Sequence, residues 1–292
     1  MCWLSVPRPA MPIGFMRPWS LALTIAWKPL TYWKLRTMIY KFTLIFVPLV
    51  LFGLPTKAQT PKHIKKDYAL FWKDQFKGKS LDASKWDIRG EGTKRHHATV
   101  SADAVFLDGK GHLVLATLKK GDQYFIGHVG TQKTLLTTYG YFECRAKMNT
   151  QRGPHTAFWL QSPEVGKTDG DTANNGTEID IFEYHTNKGT DIVYHNLHWN
   201  GYGPEHKSEG IEVKQEGIED GYHTFGLEWT PTAYIFYVDG KETWRTETAV
   251  SQRPQYMILS TELTGWGGDF SQSDFPDYIY FDYVKVYKKK PN

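Results

Sequence analysis

The densest chemistry in this 292-residue chain lies in Gly176-Thr-Glu178-Ile-Asp180-Ile-Phe-Glu183-Tyr-His185. Three carboxylates alternate with large apolar residues in a stretch that reads as a strand. In a strand, residues i and i+2 share a face, so Glu178 and Asp180 point together, while Glu183, five residues on from Glu178, points away. One β-bulge around Ile181-Phe182 adds a residue and returns Glu183 to the shared face. Three carboxylates on one face repel, and chemistry can justify that cost. Breaking a glycosidic bond with retention needs a carboxylate nucleophile and a carboxylic acid about 5–5.5 Å apart. Glu178 and Glu183, four strand steps of ~3.3 Å apart, meet that need if their arms lean together. Asp180 between them helps keep a neighbour protonated, because clustered carboxylates do not all ionise easily. The competing readings are a solvated acidic face, which would not set Ile and Phe between the acids, and a calcium site, which usually draws on a loop.

The elements that must position these residues are strands. His112–Thr117 follows the turn Asp108-Gly-Lys-Gly111, Tyr139–Met148 and His223–Trp229 alternate, and Tyr234–Val238 runs into Asp239-Gly240, a hairpin signal. Tyr278–Tyr287 has apolar residues on both faces, as an internal strand of stacked sheets requires. No long stretch has helical periodicity. Short strands with Gly- and Asn-rich turns predict an all-β sandwich in one domain.

Charge separates this domain from what precedes it. The chain carries 35 Lys and Arg against 31 Asp and Glu, but residues 1–58 hold seven of the bases and no acid. The remainder has 28 bases against 31 acids and is slightly acidic, which disfavours a nucleic-acid partner. Met38–Lys41 is a short basic start, Phe42–Leu54 is mostly apolar, and Ala58 ends a small-residue stretch. That order predicts a signal peptide over 38–58, with an uncleaved membrane anchor as the alternative. Residues 1–37 read as a start-site misassignment, with translation beginning at Met38. The expected mature domain is 59–292, secreted or periplasmic/extracellular, free of the membrane after cleavage and monomeric. Its one cysteine, Cys144, alternates with apolar neighbours and reads as a buried small hydrophobe.

Glu178-Ile-Asp-Ile-Phe-Glu183 resembles the signature of glycoside hydrolase family 16 in its bulged form. Further stretches, in order, are similar to the family's landmarks: Phe76–Trp86, Tyr139–Met148, Ala157-Phe-Trp-Leu160, Tyr222–Trp229, Val238–Lys241 and Phe281–Tyr287. The resemblance implies a concanavalin-like β-jelly roll with an open cleft across a concave sheet. It implies endo-acting, retaining hydrolysis of a β-linked polysaccharide, with Glu178 as nucleophile, Glu183 as acid/base and Asp180 as assistant. Trp159 becomes a sugar-stacking platform unless it is buried, and Arg145 falls on a cleft strand unless it forms a structural ion pair. No cofactor is required for the chemistry. A structural calcium at Asp282 is implied, with backbone carbonyls near Gly109–Gly111; the alternative is an Asp satisfied by backbone donors.

The strand Ile192–Trp199 should pair with the acidic strand through the turn Thr186–Asp191. Pairing His185 with Ile192 sets Glu183 against Tyr194, Asp180 against Asn196 and Glu178 against His198, and turns His195 into the other layer. A one-residue slip would reverse this. Substrate-binding candidates are therefore Tyr194, Asn196 and His198, with Trp266 in reach of the cleft. Where β-1,3-glucanases of the family commonly show Trp-Pro, this chain has His155-Thr156, so His155 bears on recognition. The expected substrate is a β-1,3- or mixed β-1,3/1,4-glucan, and the alternative is a β-galactan, as in agarases, porphyranases or galactanases. Transglycosylases of the family usually carry the unbulged spacing and a cysteine-bearing extension, both lacking here. A non-catalytic lectin on this fold would tolerate loss of either Glu.

Overall fold

The computed structural model describes residues 59–168 and 170–291. The expected signal peptide and the stretch before it lie outside the described residues. Among those described, the chain forms two stacked sheets joined mostly by antiparallel pairs. The sheet that carries the acids has seven strands: β1 (Asp87–Ile88), β2 (His128–Gly130), β3 (Gly153–Gln161), β4 (Glu178–Tyr184), β5 (Ile192–Trp199), β6 (Lys207–Lys214) and β7 (Tyr256–Gly267). Their spatial order is β6-β5-β4-β3-β7-β2-β1, so the acidic strand β4 is an internal one. The second sheet has Gly140–Lys147, His223–Trp229 and Asp277–Lys289 at its middle. Asp239 and Gly240 both take positive φ, the I′-type geometry that joins Tyr234–Val238 to Lys241–Thr246.

Strand alternation decides what fills the space between the sheets. Ile179, Ile181, Phe182, Phe158 and Leu160 come from β4 and β3, and they meet Phe142, Cys144, Phe225, Phe281 and Val284 from the other sheet. All are fully buried. Cys144 is a free thiol that packs as a hydrophobe. This core fixes the other face of β3, β4 and β7 as the outer surface, where the acids emerge. The arrangement is the expected jelly-roll sandwich. Among the described residues α-helix is confined to two short pieces, Lys62–Asp67 and Thr172–Asn175, beside one 3-10 turn at Ala102–Ala104. No helix among the described residues is long and apolar enough to cross a membrane.

Candidate active site

The bulge falls where the acidic spacing requires it. Glu178 pairs with His198, Ile179 with Leu197 and Asp180 with Asn196; the register then shifts, and Glu183 pairs with Tyr194. Against β3 the same shift carries the pairing from Phe182–Phe158 to Asp180–Trp159, leaving Ile181 as the extra residue. Ile181 and Phe182 both enter the core. The bulged backbone leaves Ile181 C=O to be satisfied elsewhere, and His195 Nδ1 lies 2.7 Å from it. A carbonyl can only accept, so Nδ1 carries the proton and Nε2 accepts from Thr243 Oγ1 at 2.9 Å. Burial depresses His195 to about 4, partly opposed by the Ile181 bond and by Glu183, so the ring is neutral. His195 thus points into the other layer and ties the bulge to it.

The outer face of β3, β4 and β7 forms a cleft of about 550 Å³. Glu178, Asp180 and Glu183 line it together. Tyr202 Oη donates to Glu178 Oε2, and Gln161 Nε2 donates to the same oxygen at 3.0 Å. Glu183 takes Asn196 Nδ2 on Oε2, and His155 Nε2 lies 2.7 Å from Oε1. The His155 contact is one of charge and proximity, because its N–H is not aligned on the carboxylate as a hydrogen bond requires. Asp180 Oδ2 is buried without a hydrogen-bond partner, the nearest histidine nitrogen being His198 Nε2 at 3.5 Å. Asn196 can reach Glu183 because Gly210 faces it on β6, where a Cβ would collide with Asn196 Oδ1.

These surroundings spread the proton affinities. Burial, reinforced by the charges of Glu183 and Glu262, pushes Glu178 up to about 7 against the bonds from Tyr202 and Gln161. Burial, then Glu183 and Glu178, holds Asp180 well above the carboxylate range. Burial also acts to raise Glu183, but His155, Asn196 and His198 together outweigh it and hold Glu183 low. His155 is raised: burial opposes its charge, and Glu183 prevails.

Other expected residues lie elsewhere than the sequence reading put them. Arg145 is not in the cleft. Its strand, Gly140–Lys147, pairs with His223–Trp229 and Asp277–Lys289 in the other sheet, and its outward face brings Arg145 Nη1 2.6 Å from Asp282 Oδ2. That guanidinium gives Asp282 an ion-pair partner. Trp159 lies on the cleft floor but is only 7% exposed. Its Nε1 donates to Ser260, and the Arg89 guanidinium stands 5.7 Å over its ring, so it is no open platform. Tyr194 shares the face of Glu183 yet is buried beneath His185 and Trp266. Trp266 packs edge-on against His155 at 4.8 Å and does not line the cleft itself. His198 borders the acids as expected.

Sequence reading missed several cleft residues. Gln161 is the hub. Beyond its donations to Glu178 and Tyr202, its Oε1 accepts from Tyr256 Oη at 2.7 Å and from Arg89 Nη2 at 2.9 Å. On the far wall Arg95 Nη2 pairs with Glu262 Oε1 at 2.7 Å, with His96 alongside. Alternation along β3 could have flagged Gln161, since it follows His155, Ala157 and Trp159 at period two. Among the described residues, Glu178, Asp180 and His198 are the one acidic and histidine group whose ligand atoms approach within 4.8 Å of each other. Two donors already hold Glu178, and burial favours a protonated Asp180, so the trio suits proton chemistry better than a cation.

Comparison with known proteins agrees with this geometry. A glucan endo-1,3-beta-glucosidase A1 from Niallia circulans is 26% identical over 76% of this chain, which spans 38% of that protein. A keratan-sulfate endo-1,4-beta-galactosidase from Sphingobacterium multivorum is 28% identical over 76% of the chain, which spans 56% of it. The crystal structure of a laminarinase from Flavobacterium sp. UMI-01 superposes with a TM-score of 0.65 at 25% identity, covering 75% of this chain and all of the other. The family model for glycosyl hydrolases family 16 matches residues 93–285. The chain belongs to glycosyl hydrolases family 16.

Proposed function

We propose that this chain is an endo-acting, retaining β-glycanase that cleaves internal β-1,3 or mixed β-1,3/1,4 linkages of a glucan by double displacement. The observation that carries the reading is the Ile181 bulge, which sets Glu178 and Glu183 on one face of an open cleft with Asp180 between them. In the first step Glu178 attacks the anomeric carbon, and the bond to the leaving oxygen breaks as Glu183 protonates that oxygen. In the second, Glu183 takes a proton from water, the water oxygen bonds to the same carbon, and Glu178 is released. The proton for the first step is held by the Glu183–His155 pair, and it reaches the carboxyl group once the His155 N–H turns onto Oε1, 2.7 Å away. Asp180, whose proton affinity burial raises, lies between Glu178 and Glu183.

The proton affinities of the empty cleft, taken alone, suit the reverse assignment, with Glu178 protonated and Glu183 ionised. The strand positions weigh more, because they match the family signature. The two assignments separate experimentally. On an aryl glycoside with a good leaving group, Glu183→Ala should keep the first step and Glu178→Ala should lose it.

A β-galactan is the second reading. His155 stands where a glucanase commonly has tryptophan, the opposite wall is the polar Arg95–Glu262 pair, and one relative is a galactosidase by name. Reducing ends released from a panel of β-glucans and β-galactans, by wild type and by Glu178→Ala, decide between the readings. Binding without release from any of them would favour a lectin. The basic start, apolar run and small residue at 38–58 support secretion of the enzyme.

A further inference from the structure

We infer that Tyr202 is a positioning residue for the nucleophile: the turn between β5 and β6 carries its hydroxyl over the cleft, where it donates to Glu178, favours the ionised form of that carboxylate and aims it. The inference rests on the reading of Glu178 as nucleophile.

Tyr202 is 61% exposed, the most exposed large hydrophobic side chain among the described residues. Its ring gains little from burial, so packing does not explain its place. Its polar end, in contrast, is fully engaged. The Oη donates to Glu178 Oε2 and accepts from Gln161 Nε2 at 2.6 Å. Gln161 in turn is locked by Tyr256 and Arg89, which leaves its amide one orientation. The turn is built for the reach. Asn200 and Gly201 take positive φ, and Gly201 sits so close to Gly166 that a side chain would have to displace the neighbouring loop.

The groups around Glu178 show why a donor is needed. On its own strand it faces Asp180 and Glu183, and Glu262 acts on it from β7. These acids and burial oppose its charge. His198 lies opposite on β5, tied to His206 at 3.0 Å, and His155 is committed to Glu183 on β3. Arg89 reaches Glu178 only through Gln161. Tyr202 and Gln161 are thus the direct donors to the nucleophile. Burial, then the charge of Glu178, raises the Tyr202 phenol, so it remains a donor throughout the working range.

The test compares full-length wild type with Tyr202→Phe, which preserves the ring and alters an exposed side chain. The kcat and KM on a soluble β-1,3-glucan are measured against pH, and the Glu178 carboxyl carbon is titrated by 13C NMR without substrate. Losing one charge-assisted hydrogen bond should move the acidic limb and the NMR titration up by about one pH unit. Activity should fall about tenfold below the limb and recover at high pH, with KM little changed. Unmoved limbs and an unmoved titration would overturn the inference, as would a raised KM at unchanged pH dependence, which marks a simple sugar contact. Azide rescue of Glu178→Ala keeps the underlying reading separate. Rescue with an inverted glycosyl azide upholds Glu178 as nucleophile whatever Tyr202→Phe does. Rescue of Glu183→Ala with the inverted azide instead removes that reading, and the inference with it.

Discussion

His195→Leu should damage both the fold and the reaction, although His195 never touches the cleft. The imidazole bridges two elements: Nδ1–H donates to Ile181 C=O at 2.7 Å, and Nε2 accepts from Thr243 Oγ1 at 2.9 Å. Leucine keeps apolar bulk against Phe236 but removes both bonds. The Ile181 carbonyl, buried in the core, is left without a partner at a cost of about 1–3 kcal/mol. Thr243 is half-buried and recovers part of its loss from water, so about 1 kcal/mol is at stake there. The sum is about 2–4 kcal/mol, read from urea unfolding followed by tryptophan fluorescence. Relaxation of the bulge also shifts Glu183 relative to Glu178. A displacement of about 1 Å in a catalytic group lowers turnover on the order of 100-fold. Equal stability and equal kcat in wild type and variant would refute the claim that His195 holds the bulge in place.

Other outcomes follow from the same geometry. Catalytic efficiency should rise with pH through about 7, because Glu178 must be ionised to attack and is protonated below that value; a pH-rate profile that is flat between 6 and 8 would contradict it. Stability should fall as pH drops from about 6.5 toward about 4: folded His195 resists protonation while the unfolded chain takes the proton, so the unfolded state binds more protons over that window. Thermal unfolding across that range checks the sign. Arg145→Ala should cost under ~1 kcal/mol and leave KM unchanged, since its pair with Asp282 is about a third exposed and lies on the sheet away from the cleft; a raised KM would return Arg145 to the substrate site. Phe182→Ala should cost about 3–5 kcal/mol, because the ring is fully buried against Phe225, and denaturation measures it.

What the sequence made legible was local. Alternation with period two placed Glu178 and Asp180 together, and the odd spacing to Glu183 demanded a bulge among residues the core would accept. Those same residues fixed the register with β5, because a slip would have put Leu197 in water and His198 in the core. What could not be read depended on distant segments meeting. Gln161 and Tyr202 lie 17 and 24 residues from Glu178; alternation marks the face of Gln161 but not its partner, and Tyr202 carries no local mark at all. Arg89 covers Trp159 from the turn just after β1, a strand of two residues with almost no pattern. Arg145 was misplaced for a related reason: alternation shows that a strand has two faces, and says nothing of which sheet it joins.

The central claim is that Glu178 forms the covalent bond to sugar. A 2-deoxy-2-fluoro glycosyl fluoride of the preferred sugar, incubated with the full chain, should accumulate a glycosyl-enzyme, because the fluorine slows breakdown of the intermediate more than its formation. Proteolysis and tandem mass spectrometry should place the adduct on Glu178. An adduct on Glu183 would reverse the assignment.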